Sequence, residues 1–178
     1  KLAASGVDFT AMQGTKEYLV LTSLNYNTKA GPTDLIGKGL RNAIANNDRA
    51  EAWYEIRYNS NGNQIPGLAK RRYYEAETFS LYNGNANQSP EETEQETKGI
   101  FRMVTRHRAT IDSYEAKYGV KLDGTEGTRN MIAEANSATL GYGLTGTASE
   151  IDTIADSLAS AHTYLESTFG EGITLTGD

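Results

Sequence analysis

Residues 67–82 read GLAKRRYYEAETFSLY: two permanent cations, Arg71 and Arg72, stand near the start of a helical pattern, with Glu75 four and three residues behind them. At that spacing a guanidinium and a carboxylate are neighbours on one helix face, and an exposed pair contributes about 0.2–0.5 kcal/mol. Arginine presents five donors in a rigid fork, so Arg71 or Arg72 can tie loops and helix ends together through backbone carbonyls. Neither can act as a general acid, because arginine stays protonated. The expected role of Arg71, Arg72 and Glu75 is therefore structural. His107 and His162 each fall within an apolar helical stripe and lack partners at metal-ligand spacing, which predicts half-buried packing histidines and no metal. The chain has no cysteine, which excludes disulfides, thiolate metal sites and a cysteine nucleophile. The acid run EETEQE at 91–96 reads as the solvated, dipole-favoured start of a helix.

The elements that must position these groups are helices. Residues 15–26, TKEYLVLTSLNY, are apolar over most of their surface and predict a buried helix. Gly31-Pro32 punctuates the next loop, and Thr33 or Asp34 can open a helix with Leu35, Ile36, Leu40, Ala43 and Ile44 at 3–4 spacing. Asn46 and Asn47 end it. Asp48 caps a helix over 49–58 with Ala52, Trp53 and Ile56 facing inward. Asn61-Gly62 is a turn signal, and Pro66 starts a helix running to about Tyr82. Ser89-Pro90-Glu91-Glu92 combines an N-cap, a proline at the first helical position and a capping-box glutamate. The long helix it opens, to about Tyr118, carries Ile100, Met103, Val104, His107, Ile111, Tyr114 and Tyr118 as its stripe. Shorter helices are expected over 128–138 and 149–169, the latter with Ile151, Ile154, Leu158, Ala161, Leu165 and Phe169 inward. Only GITLTGD at the end has strand character, so the fold is expected to be mainly α.

The 178 residues suffice for one domain with a real core or two small ones. No apolar run approaches the roughly 20 residues that span a bilayer, and no signal-peptide pattern is present. The start at Lys1 leads us to expect a piece of something longer. Net charge is −6 and unevenly placed. Residues 1–82 carry ten Lys/Arg against eight Asp/Glu, and residues 83–178 seven against fifteen. That break, with the polar stretch NGNANQ at 83–88, predicts a first unit over 1–82, a linker over 83–88 and an acidic helical extension over 89–178. No basic cluster is large enough to hold a phosphate backbone, which excludes nucleic acid as an expected partner.

Three segments in order carry a family resemblance. LTSLNYNT at 21–28 ends a buried helix in a Ser-x-x-x-Asn pattern, NNDRAEAWYEIRYN at 46–59 has a Gly/Asn-Asp-x-x-x-Ala pattern with Trp53 near its centre, and PGLAKRRYYEAETF at 66–79 has the form Pro-Gly-Leu-x-x-Arg-Arg-x-x-Glu. Together they resemble the C-terminal helical lobe of phage-type lysozymes, the endolysins of the lysozyme superfamily, over about residues 15–82. The resemblance implies structural roles for Trp53, Arg71, Arg72 and Glu75. It also implies a cleft, for which Asn25, Arg57, Tyr58, Asn59 and Gln64 are the candidate saccharide contacts, since amides and aromatic faces suit sugar hydroxyls and ring C–H surfaces. The family's catalytic Glu, Asp and Thr lie in an N-terminal lobe. Glycoside cleavage needs a carboxylic acid to protonate the leaving oxygen. Only 14 residues precede the first matching helix here, with Asp8 their single acid, so the catalytic residues are not identifiable in this chain. LGYGLT at 140–145 is loosely similar to the family's catalytic hairpin but lies on the wrong side of the match, and Glu17 and Glu55 read as helix-surface charges.

The expected function is therefore that of a peptidoglycan glycan hydrolase or a fragment of one. The alternative is a non-catalytic cell-wall-binding or interaction module of a larger exported protein. Both imply a bacterial cell-wall glycan as partner, no cofactor, and an extracytoplasmic or secreted setting. The closing GEGITLTGD resembles the lead-in to Gly/Asp-rich calcium-binding repeats.

Overall fold

The computed structural model describes residues 10–26, 36–62, 65–84, 87–137 and 150–170. The fold is mainly α. Among the described residues there are seven α-helices and no strand: α1 (Lys16–Tyr26), α2 (Lys38–Ala45), α3 (Arg49–Tyr54), α4 (Pro66–Phe79), α5 (Pro90–Tyr118), α6 (Met131–Asn136) and α7 (Ile154–Phe169). None of these is long and apolar enough to cross a membrane. The start expected at Thr33 or Asp34, the strings at 140–145 and 172–178, Asp8 and Gln64 lie outside the described residues.

Local chemistry sets the helix boundaries. The Asp48 carboxylate accepts from the Glu51 backbone N–H at 3.1 Å and starts α3. Ser89 and Glu92 close a reciprocal capping box at α5, and Thr153 with Asp156 does the same at α7. Pro66 and Pro90 occupy the first turns of α4 and α5, where no N–H is needed. Asn47 ends α2 in the left-handed region, at φ 54°.

The helix expected over 49–58 changes pitch. After Tyr54 it widens into a π-helical turn over Glu55–Asn59. A wider turn advances each residue by a smaller angle, so a run of successive side chains stays on the inner side. Ile56, Arg57 and Tyr58 are accordingly all buried, after Ala52, Trp53 and Tyr54. The α3–π element is thus buried nearly all round, with α2, α4 and α5 packed about it. Helices α1 and α6 pack on α4, and α7 packs on α5.

One hydrophobic core runs from Val20 and Leu24 of α1 through Trp53, Tyr73 and Ile100 to Ile154 and Ala161 of α7. Between α4 and α5, Asn83, Gly84 and Asn87 are exposed, and the described residues on either side share that core. The stripe expected of α7 also differs at its ends. Ile151, Ile154, Ala161 and Leu165 are buried, but Phe169 is 51% exposed beyond its helical neighbours.

A tight return loop closes the C-terminus of α5. Val120 and Glu126 form an isolated antiparallel bridge, and Gly127 N–H donates to the Gly119 carbonyl at 2.8 Å. The next amides, of Thr128 and Arg129, donate to the Ala116 and Lys117 carbonyls at 2.9 and 3.2 Å, satisfying acceptors that the helix end would otherwise leave bare. This approach requires glycine. A Cβ on Gly127 would collide with the Glu115 carbonyl oxygen and lie 2.8 Å from the Ala116 carbonyl carbon.

Gly127→Ala is expected to lower unfolding free energy by about 1–3 kcal/mol through forced backbone displacement. Gly67→Ala in α4, where a Cβ meets nothing within 4 Å, is expected to leave stability unchanged or raise it by up to about 1 kcal/mol. Guanidinium unfolding midpoints of the two variants check both signs.

Candidate functional site

The π turn delivers Arg57 into the centre of the molecule, where it is fully buried. One terminal amino group, Nη2, donates to the Asp152 carbonyl at 2.9 Å. Its Nε lies 3.6 Å from Glu115 Oε1, an ion-pair distance but too long for a hydrogen bond. Among the described residues, Nε and Nη1 have no hydrogen-bond partner. The guanidinium is instead stacked among aromatic rings, 4.5 Å from the Tyr73 centroid, 4.8 Å from Trp53 and 5.7 Å from Tyr58. Desolvated cation–π contacts of this kind are worth about 2 kcal/mol each, comparable to the cost of about 1–3 kcal/mol for an unmade buried hydrogen bond.

Glu115 is the counter-ion, also fully buried. Its Oε1 accepts from the Tyr58 hydroxyl at 2.7 Å, and its Oε2 accepts from the Tyr73 hydroxyl at 2.8 Å and the Val120 amide at 3.1 Å. A Cβ on Gly119 would run into this carboxylate and sit 2.7 Å from the Tyr73 hydroxyl oxygen, so the glycine that ends α5 makes the space. Burial opposes the charge on Arg57, but Tyr58, Glu115 and Tyr73 around it hold its pKa above the ordinary arginine value. Burial, and then the negative charge of Glu115, push the Tyr58 and Tyr73 phenols well above the usual range, against the pull of Arg57. Burial likewise pushes Tyr114 up to about 12, opposed by its hydrogen bond with Asn61.

Of the five candidate saccharide contacts, Arg57 and Tyr58 are interior residues, with Arg57 donating to the Asp152 carbonyl and Tyr58 to Glu115. Asn59 is exposed and donates to Glu55 at 2.9 Å, and Asn25 is half-buried on α1. Trp53, 1% exposed, packs edge-on to Tyr58 at 5.9 Å.

The α4 group forms a second buried polar cluster. Glu75 is fully buried and accepts from Ser23 of α1 at 2.6 Å, from Arg71 Nε at 3.0 Å and from Arg72 Nη1. Arg71 also donates to the Ser23 hydroxyl at 2.9 Å, and Arg72 Nε to the Ser60 carbonyl at 3.3 Å. The cluster joins α4 to α1 and to the chain just after the π turn. Asn61 is a buried bracket beside it. Its side chain pairs with both the N–H and the carbonyl of Ile65, and donates to the Tyr114 hydroxyl at 3.1 Å.

An open groove of about 1050 Å3 lies between the start of α1, the α2–α3 connection and the first four turns of α5. Its apolar floor includes Ile44, Phe79 and Leu81. Its walls present five amides (Asn46, Asn47, Asn83, Gln88 and Gln95) and five carboxylates (Glu17, Asp48, Glu91, Glu92 and Glu96) against two arginines. Arg49 organises the floor. It pairs with Glu17 through Nη2, lies 3.8 Å from Glu96 through Nε, donates from Nη1 to the Phe79 carbonyl at 3.3 Å, and sits 4.9 Å from the Phe79 ring centroid. Asn25, Arg57, Tyr58 and Asn59 do not line this groove.

His107 is half-buried, stacked on Tyr54 at 3.7 Å, with Nε2 2.7 Å from Glu51 Oε1. His162 departs from its expected stripe: it is exposed, one residue and about 100° round the helix from buried Ala161. Among the described residues no three His, Asp or Glu side chains are placed to hold a metal. Glu115 was legible in principle. It stands four residues after Ile111 and three before Tyr118, on the apolar face of α5, and a carboxylate at such a position calls for a buried cation. Arg49 gave no such signal. No family model, curated protein or solved structure matches the chain.

Removing Glu115 strands the Arg57 charge. Glu115→Ala is expected to cost about 3–5 kcal/mol. The Arg57→Met/Glu115→Leu double variant is expected to cost less than the sum of the single variants, which a double-mutant cycle by urea unfolding checks.

The raised phenols also fix the alkaline limit. Unfolded tyrosine releases its proton near pH ~10, whereas Tyr58, Tyr73 and Tyr114 hold theirs to higher pH in the folded state. Their contribution is fully present below pH ~10 and is lost as pH rises above it, since the unfolded state then binds fewer protons. Tyrosinate absorbance is expected to rise in two phases. The phase that belongs to Tyr58, Tyr73 and Tyr114 is expected to coincide with loss of far-ultraviolet circular dichroism.

Proposed function

We propose that this chain is a non-catalytic glycan-binding lobe of a cell-wall-directed protein, with the groove between α1, the α2–α3 connection and α5 as its saccharide site. The observation that carries this reading is the groove's lining. An apolar floor between amide and carboxylate walls offers ring C–H surfaces a seat and sugar hydroxyls both donors and acceptors. The lysozyme-type resemblance of residues 15–82 supplies the polymer, a β-1,4-linked glycan of peptidoglycan. The absence of an identifiable general acid makes the lobe a holder rather than a cutter. The two half-buried carboxylates of its walls, Glu17 and Glu96, are both committed to Arg49.

A second reading, glycan hydrolysis, is favoured by one observation. Glu17 and Glu96 flank a single guanidinium at the bottom of the groove, and paired carboxylates across a bound sugar are the equipment of glycosidases. The two readings separate in one experiment. Incubated with purified insoluble peptidoglycan, the protein is expected to sediment with the wall and to release no new reducing-end fragments by mass spectrometry. Fragment release that is lost in Glu17→Gln or Glu96→Gln would replace the binding lobe by the enzyme. Neither retention nor release would remove both.

A further inference from the structure

We infer that Asn83 is a site of spontaneous covalent modification, where its side chain cyclises onto the Gly84 nitrogen with the Lys16 ammonium assisting. The sequence contains two Asn-Gly pairs, Asn61-Gly62 and Asn83-Gly84. Glycine has no Cβ, so it leaves its backbone nitrogen open to the side chain of the asparagine before it. The fold treats the two pairs in opposite ways. Asn61 is 2% exposed, and both ends of its amide are held. Its Oδ1 accepts from the Ile65 N–H, and its Nδ2 donates to the Ile65 carbonyl and the Tyr114 hydroxyl. Asn83 and Gly84 are exposed, and Gly84 turns the chain at φ 67°. The Asn83 backbone N–H donates to both Glu96 carboxylate oxygens, at 3.2 and 3.3 Å. Its side-chain amide has no hydrogen-bond partner among the described residues.

The reaction needs no co-reactant but water. The Gly84 nitrogen loses its proton and attacks Asn83 Cγ. A new N–Cγ bond forms, the Cγ–Nδ2 bond breaks, and the side-chain nitrogen takes up the released proton and leaves as ammonia. Water then opens the cyclic imide at either carbonyl, giving aspartate or an isoaspartate whose backbone runs through the side chain. One water enters and one ammonia leaves, with no oxidation or reduction. Negative charge develops on the attacking nitrogen and then on the Asn83 oxygen, so a nearby cation lowers the barrier. Lys16, at the start of α1, supplies one. A Cβ placed on Gly84 would lie 3.9 Å from its Nζ, and Lys16 has no ion-pair partner among the described residues. The opposing charge, Glu96, is held at the Asn83 N–H and shared with Arg49 at 3.8 Å. Each event replaces an amide of the groove wall by a carboxylate, so the groove gains negative charge as the molecule ages.

The test is to incubate the folded chain at neutral pH in heavy-oxygen water, digest it in ordinary water and map the peptides by mass spectrometry. Heavy oxygen then marks only the conversions that preceded digestion. Asn83 is expected to convert at least about tenfold faster than Asn61, whose side chain must first break three hydrogen bonds. In the urea-unfolded chain the two pairs are expected to react at similar rates, and a gap of the same size there would overturn the protection by the fold. Lys16→Met is expected to slow Asn83 about two- to fivefold, the range of one exposed charge interaction, while Lys16→Arg keeps the wild-type rate. Raised salt is expected to slow the wild type toward the Lys16→Met rate and to leave that variant unchanged. Asn61 converting as fast as Asn83 in the folded chain would overturn the site. So would an Asn83 rate no higher than that of asparagines not followed by glycine. A Lys16→Met rate equal to that of the wild type would overturn the assistance by Lys16.

Discussion

The fold is organised around one buried ion pair. Arg57 and Glu115 are both fully inaccessible, and removing two charges from water costs several kcal/mol per ion unless neighbours replace the lost solvation. Nearly every unusual feature of the core supplies that replacement. Two phenols and a backbone amide are aimed at the carboxylate, three aromatic rings surround the guanidinium, and the Asp152 carbonyl takes one of its donors. Gly119 leaves room for the carboxylate between α5 and its return loop. The pair thereby sets the mutual placement of the π turn, α4, α5 and the segment leading into α7. A purely apolar core could shift among near-equivalent packings, and this one has a charge that must find its counter-charge.

Charge is used differently at three depths. In the centre, Arg57 and Glu115 exchange no direct hydrogen bond and depend on others' groups. One layer out, Glu75 binds Arg71, Arg72 and Ser23 directly and joins α1 to α4. At the surface, Arg49 spans two carboxylates and leaves the groove walls with an excess of acid. Sequence totals hide this layering. The second half of the chain is strongly acidic by count, yet one of its acids lies at the molecular centre and others form the groove wall.

The helices were largely legible in the sequence because their signals are local. Asp48, Ser89-Pro90-Glu92 and Pro66 each fix a start through chemistry within four residues, and the stripes of α5 and α7 repeat at the helical period. The interior polar groups were not legible, because their roles depend on a local change of pitch. With an α-helical period through 49–58, Arg57 and Tyr58 turn toward a loop, where they look like sugar contacts. The π turn rotates them inward. The shared core was not legible for a related reason: a polar connection says nothing of what the helices on either side bury together. Asn61 shows the same limit. Its pairing with glycine reads as a turn former, and its burial against Tyr114 follows only from where α5 lies. The groove draws on residues as far apart in sequence as Met12 and Arg102, and no spacing rule reaches across that distance.

The wide turn at Glu55–Asn59 makes residue number, as well as residue type, a structural variable. Such a turn holds about one residue more than the α-helical turn it replaces, so it is a register device inside a helix. Loss or gain of one residue there would rotate everything that follows by about 100° relative to the helix before it. The side chain facing Glu115 would then no longer be the arginine. Homologous sequences that preserve this core should hold the length of 55–59 fixed along with Arg57 and Tyr58, and gaps should collect in the surface connections instead.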